Sequence, residues 1–168
     1  MLDKRAYSPE KIVPPHPLPF VSRKALRRVK NPLPAPGTCR YCGPNTPVSL
    51  VSNADIYGRE YGDWPYMYLC DNCEAYVGLH PNTDIPLGPL ADKDLRGARK
   101  HHKADFLELQ RLCGWRRKEA YAWLARKMNI PIEECHFGWF EIEQCEQAGK
   151  IARLAMMSGK GGTQHAQE

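Results

Sequence analysis

Four cysteines carry the clearest chemistry in this sequence: Cys39 and Cys42 in Cys39-Arg40-Tyr41-Cys42-Gly43, and Cys70 and Cys73 in Cys70-Asp71-Asn72-Cys73. A Cys-x-x-Cys pair on a tight turn sets two thiolates on one side. There they can share one tetrahedral ion while the amides of the turn hydrogen-bond to sulfur. Gly43, directly after the second cysteine, allows the positive φ that such a turn adopts. Two such pairs supply four ligands, so the shell closes and leaves no position for a catalytic water. The expected cofactor is therefore one structural Zn2+ held by Cys39, Cys42, Cys70 and Cys73. The other readings of these residues are four free thiols or two disulfides. Seven cysteines cannot all pair within one chain, and closely spaced cysteines in a reducing compartment are more often metal ligands than bridges.

The remaining candidate ligands form weaker patterns. His80 follows Cys73 by seven residues and reads either as a loop histidine or as a substitute ligand. His101 and His102 adjoin each other on an expected helix, so they point about 100° apart and are not expected to serve one site. Cys135-His136 resembles half a metal site, with Cys145 the nearest further thiol. Cys113, Cys135 and Cys145 read as small buried residues or free thiols.

The elements that must position the four cysteines are short. Runs at 47–52, 65–69 and 75–79 are β-type and bounded by Asn, Asp, Gly and Pro. The 27 residues from 43 to 69 suit a hairpin that returns the second knuckle beside the first. That layout is a zinc ribbon: short antiparallel strands around a four-cysteine zinc site. Fewer than 50 residues of such strands bury too little to fold alone, and zinc contributes about 10 kcal/mol or more in such modules. From residue 91 the period changes to three or four, with Leu95, Ala98, His102, Phe106 and Leu109 along one helix face. Helices are expected at 91–112, 117–128 and 141–157. The fold class is thus small α+β: a ribbon at 38–90 followed by a three-helix part at 91–157. Residues 1–37 contain eight prolines and no apolar period, and read as a disordered, Pro-rich basic arm. Residues 158–168 read as a flexible tail.

Charge is uneven along the chain. The net charge is +5, with basic segments at 1–38 and 91–127 flanking a mildly acidic middle. Such a pattern permits a nucleic-acid partner without demanding one. No apolar run approaches the roughly 20 residues of a membrane span, and the N-terminal sequence lacks the apolar stretch of a secretory signal. The expectation is a soluble cytoplasmic protein with no membrane partner.

Several motifs together resemble a known family. They are the two Cys-x-x-Cys pairs, Ala75-Tyr76-Val77-Gly78-x-His80-Pro81-x-Thr83, Pro86-Leu87-Gly88 and Leu90-Ala91-Asp92. The likeness continues through Leu95-Arg96-x-Ala98-Arg99, His102, Glu119-Ala120-Tyr121-Ala122-Trp123-Leu124-Ala125, Cys135-His136-Phe137-Gly138-x-Phe140 and Cys145. The chain resembles, over roughly 38–150, a zinc-finger-containing domain family met in bacteria and especially in their phages and prophages. The resemblance implies zinc at the four cysteines and a cytoplasmic protein of a bacterial host cell. It carries over no activity. Residues Asp105-Phe106-Leu107-Glu108-Leu109 depart from the family pattern, so nothing functional is transferred there.

Three functions follow as expectations. The first is a non-catalytic, phage-type accessory protein that binds DNA or RNA. Arg96, Arg99, Lys100 and Lys103 on the first long helix, and Arg116, Arg117 and Lys118 at the next helix start, would touch phosphates. Tyr57, Tyr61 and Trp64, with Tyr66, would stack on unpaired bases. The same residues read otherwise as a solvated helix face and a small domain's core. The second is a factor that docks on a host protein such as RNA polymerase or a defence enzyme, its arm ordering on the partner. The third is a zinc-supported nuclease using His101, His102 and Asp84 or Asp105, although the histidine and asparagine spacing of such nucleases is absent.

Overall fold

A computed structural model describes residues 1–159, and the chain divides into two compact units, the first Met1–Asp92 and the second beginning at Lys93. Most of the expected tail lies outside the described residues. Among those described, no helix is long and apolar enough to cross a membrane.

The first unit is built on a four-stranded antiparallel sheet with strands in chain order: β1 (Thr38–Cys39), β2 (Gly43–Ser52), β3 (Tyr66–Cys70) and β4 (Tyr76–Gly78). A short helix, α1 (Arg23–Leu26), precedes β1, and another, α2 (Ala54–Tyr57), interrupts the expected loop between β2 and β3. β2 runs four residues further back than its apolar stretch suggests, because it pairs with β1 across an irregular register, Thr38 opposite Pro47 and Cys39 opposite Gly43. The central pairing is regular, from Val48 opposite Cys70 to Ser52 opposite Tyr66. This register brings the start of β2 and the end of β3, and hence both knuckles, to one end of the sheet. Tyr68, Val77, Leu79 and Leu90 are buried there with Cys39 and Cys70.

Residues 1–37 are not the disordered arm that their prolines suggest. Ala6, Leu26 and Val29 are buried with Ile85 in a second cluster, and Leu18 joins the first. Arg5 makes a two-pronged contact with Asp84, Nη1 to Oδ2 at 2.8 Å and Nη2 to Oδ1 at 2.7 Å. The Ser22 amide donates to the carbonyl of Asn82 at 2.9 Å. Proline removes amide donors and leaves carbonyls to be satisfied elsewhere. Here Arg23 satisfies three of them, donating to the carbonyls of Arg5, Ser8 and Glu10. Order comes from side-chain clamps and scattered apolar anchors, which leave no periodic trace in the sequence.

The second unit contains α3 (Lys93–Cys113), α4 (Arg117–Met128) and α5 (Ile142–Met157), close to the expected spans. Gly114 follows α3 in the left-handed region at φ +65°, and Asn129 follows α4 at φ +55°. Both are C-terminal stops of the usual kind. At the other end of α4 the Glu119 carboxylate reaches back to the Arg116 amide at 2.7 Å. Phe106, Leu109, Leu124, Phe137 and Phe140 fill the core together with Cys135 and Cys145.

Candidate metal centre

Cys39 ends β1 and Cys42 immediately precedes β2, while Cys70 ends β3 and Cys73 lies in the turn towards β4. Each knuckle is closed by a residue with positive φ directly after its second cysteine: Gly43 at +104° and Glu74 at +60°. Gly43 was legible as such a position. Glu74 was not, since a glutamate in that region is uncommon and gives no sequence signal. The turn holds it there, with its amide donating to the carbonyl of Cys70 at 3.1 Å and the Cys70 amide to that of Ala75 at 2.9 Å.

The four sulfurs all lie within 4.8 Å of one another. Across the two knuckles Cys39 Sγ is 3.6 Å from Cys73 Sγ, and Cys70 Sγ is 3.8 Å from Cys42 Sγ. Tetrahedral zinc with bonds near 2.3 Å requires sulfur–sulfur separations of about 3.8 Å. None of the cysteines is in a disulfide: the knuckles pair in space without bridging, which sets aside the two-disulfide reading. Cys39 and Cys70 are buried, Cys42 is half-buried and Cys73 is exposed, so the cluster faces solvent on one side.

Donors reach the sulfurs, and the thiols are affected unequally: burial pushes Cys73 up to about 12, whereas Cys70 moves the other way. The Tyr41 amide approaches Cys39 Sγ at 3.4 Å, and the Asn72 side-chain amide donates to Cys42 Sγ at 3.3 Å. Burial pushes the Cys70 thiol up, but the amides of Cys73 and Asn72 and the neighbouring Cys39 and Cys73 thiols outweigh it and bring Cys70 down to about 7. Four soft donors at tetrahedral spacing, with amide donors around them, fit Zn2+. Asn72 is a contributor that sequence reasoning passed over, and its place between Cys70 and Cys73 is the only signal for it.

His80 is held in a tight loop, its amide donating to Ile85 O at 2.9 Å and its carbonyl accepting from the Thr83 hydroxyl at 2.8 Å. It does not belong to the four-sulfur cluster. Cys135, His136 and Cys145 do not form a second cluster among the described residues. Cys135 and Cys145 are fully buried core residues, and burial pushes each thiol up to about 11. His136 is exposed, with its ring 6.1 Å from that of Tyr121.

His101 and His102 depart from expectation. Their ring centroids lie 4.8 Å apart, and their nitrogens come together with the carboxylate of Asp105 in a group whose donor atoms are within 4.8 Å. Backbone divergence of about 100° does not prevent this, because the side chains rotate towards each other.

The residues expected to touch nucleic acid separate into three kinds. Lys100, Arg116, Arg117 and Lys118 are exposed, whereas Arg96, Arg99 and Lys103 are half-buried. Arg99 Nε donates to Phe140 O at 3.0 Å, which ties α3 to the turn before α5. Tyr57 and Tyr61 are exposed and pack edge to face at 5.5 Å, with the Arg59 guanidinium 4.4 Å over Tyr61. Trp64 is half-buried between Phe20 and Tyr66, and its Nε1 donates to Thr83 O at 2.9 Å. Its ring is thus packed within its own unit. Sequence reasoning passed over Arg126 and Lys127, which are exposed on α4. Lys127, four residues after Trp123, lies 6.0 Å over that ring.

No curated protein and no solved structure is significantly similar to the chain. A family model described as a zinc-finger-containing domain matches residues 35–155, which takes in both cysteine pairs and nearly all of the three long helices. With that match and four sulfurs at zinc-binding spacing, the chain belongs to the zinc-finger-containing domain family.

Proposed function

We propose that this protein is a non-catalytic accessory factor that holds one structural zinc ion and binds nucleic acid through phosphate contacts from α4. The carrying observation is the set Arg116, Arg117, Lys118, Arg126 and Lys127. All five are exposed, and none is ion-paired to a carboxylate among the described residues. Unneutralised cations along one helix are what a phosphate backbone recruits, and their contribution is independent of base sequence. The exposed Tyr57 and Tyr61, with Arg59, are a second surface, in the first unit, on which unpaired bases can stack. The zinc, enclosed by four thiolates, takes no part in chemistry. A phage or prophage setting in a bacterial cell is what the family resemblance supports.

The test is fluorescence anisotropy with labelled single- and double-stranded DNA and RNA, titrated from about 50 to 200 mM salt. Binding that weakens steeply with salt, and a double change Arg117→Glu, Lys118→Glu that weakens it on all sequences alike, is the expected outcome. Absence of binding, or binding indifferent to salt, rejects the reading. A protein partner is the second reading, favoured by a shallow hollow at the end of α4 lined by Ala122, Ala125, Ile130 and Ile132, with Ile132 42% exposed. Capture from nuclease-treated host lysate that is abolished by Ile132→Asp would move the conclusion there.

A further inference from the structure

Outside the four-cysteine centre, the second unit carries a group that the proposed function does not use. His101 and His102 on α3 bring their rings to 4.8 Å with planes at 82°, and Asp105 lies one turn further on. One donor atom from each residue falls within 4.8 Å of the others. Two features show that the place of His102 is built. Its Nδ1 is buried and has no hydrogen-bond partner, an uncommon state for a buried polar atom. Opposite it, α5 carries Gly149 in its interior, where glycine disfavours helix. A Cβ at that position would lie 2.9 Å from Cγ of His102 and closer still to Nδ1, so the missing side chain is the space the imidazole occupies.

Asp105 Oδ2 is 3.9 Å from His102 Nδ1, too far for a hydrogen bond, and is held instead by Arg153 Nη1 at 2.5 Å. The guanidinium already supplies a cation here, on a side chain that is 45% exposed. We infer that His101, His102 and Asp105 form a second divalent-cation site, independent of the nucleic-acid reading and distinct from the four-cysteine centre. Two imidazoles and one carboxylate suit borderline ions such as Zn2+, Co2+ or Ni2+, and lack the oxygen donors that Mg2+ or Ca2+ need. Bonds of about 2.0–2.1 Å put tetrahedral donors about 3.4 Å apart, which the three residues reach by rotation of side chains. Arg153 leaves as the ion enters, and three protein donors leave a coordination position open.

The experiment is zinc titration of the tag-free full-length protein against a chelating indicator, with bound ions counted by native mass spectrometry. The wild type takes up two ions, the second more weakly. His101→Ala, an exposed position that does not threaten folding, removes the second ion or weakens it by about tenfold or more while the first is retained. Asp105→Asn acts likewise, and Arg153→Met, which removes the competing cation, tightens the second ion. Saturation of the wild type at one ion overturns the inference, as does a second ion that His101→Ala and Asp105→Asn bind as tightly as the wild type does. Loss of salt-dependent nucleic-acid binding in the Arg117→Glu, Lys118→Glu protein leaves this count unchanged, so the two readings fail separately.

Discussion

Arg5 and Asp84, 79 residues apart in sequence, meet in a two-pronged ion pair, and the same guanidinium also holds Asp3 at 2.7 Å. Asp84 sits in the loop that follows β4, and its carbonyl accepts from the Tyr68 hydroxyl of β3 at 2.6 Å. One arginine thus joins the start of the chain to the sheet that carries the cysteines. Charge-assisted bonds of this kind are stronger than neutral ones, but Arg5 is 39% exposed and solvent screens part of the gain. Arg5→Ala should cost the first unit about 1 kcal/mol. Limited proteolysis is the direct readout, with faster cleavage after Lys11 and Arg23; an unchanged rate would show that the clamp contributes nothing.

The same clamp gives a pH dependence. The hydrogen bond from Arg5 holds the Asp3 carboxyl below its ordinary value. A carboxylate with a depressed folded pKa adds stability that is complete above its unfolded value, about pH 4, and is lost as pH falls through the lower folded value. The proteolysis rate of wild type and Arg5→Ala should therefore differ at neutral pH and converge as the pH drops below about 4, followed with an acid-active protease.

Zinc removal should affect the two units unequally. β1 has two residues and β4 three, and Cys39 and Cys70 are part of the first unit's own buried cluster. Apparent zinc affinities in comparable modules amount to about 10–16 kcal/mol, so loss of the ion removes most of what holds such a sheet. The second unit has a separate core. Cys70→Ser, or a strong chelator, should abolish amide exchange protection in 38–79 while α3 to α5 keep theirs. Uniform loss of protection throughout the chain, or none, would contradict a zinc-dependent first unit.

The metal centre was legible because its ligands carry their own geometry: a Cys-x-x-Cys pair specifies a turn, and two pairs specify a closed shell. The first long helix was legible through the three- and four-residue recurrence of Leu95, Ala98, His102, Phe106 and Leu109. What escaped was order without period. Ala6, Leu18, Leu26 and Val29 are buried at irregular spacing among prolines; Ala6, Leu26 and Val29 pack with Ile85, and Arg5 pairs with Asp84, both in a distant loop, while Leu18 joins the cluster of the sheet. The convergence of His101 and His102 escaped for a different reason. Helix periodicity places Cβ atoms, whereas ligand atoms sit two bonds or more beyond them and follow rotamers set by Gly149 and Arg153 on another helix.

Not every arginine on α3 and α4 should behave alike. Arg99, half-buried and donating to Phe140 O at 3.0 Å, ties α3 to the turn that contains Phe137 and Phe140. Arg99→Ala should destabilise the second unit by about 1–2 kcal/mol, the cost of leaving a carbonyl without its charged donor. It should leave the salt slope of nucleic-acid binding unchanged. Arg126→Ala and Lys127→Ala should each lower that slope by about one for the phosphate no longer neutralised; Arg126→Ala should leave the denaturation midpoint in place, and Lys127→Ala should lower it only slightly through its lost contact with Trp123. Equal slopes for all three variants would remove α4 from the interface.

Gly149→Ala separates helix propensity from packing. Within α5 the exchange of glycine for alanine favours the helix by about 1 kcal/mol. Against this, the new methyl would overlap the His102 imidazole and stand 3.1 Å from Arg153 Nη1. The ring, largely buried between α3 and α5, has little room to retreat, and overpacking of this kind costs about 1–3 kcal/mol. The second effect should win, so Gly149→Ala alone lowers the stability of the second unit. In a His102→Ala background the obstacle is gone and the same change should raise stability by about 1 kcal/mol. A thermal-denaturation double-mutant cycle reads the difference directly as a coupling between the two positions. If Gly149→Ala stabilises both backgrounds equally, the glycine is not there to admit the imidazole, and the built character of the His102 position falls with it.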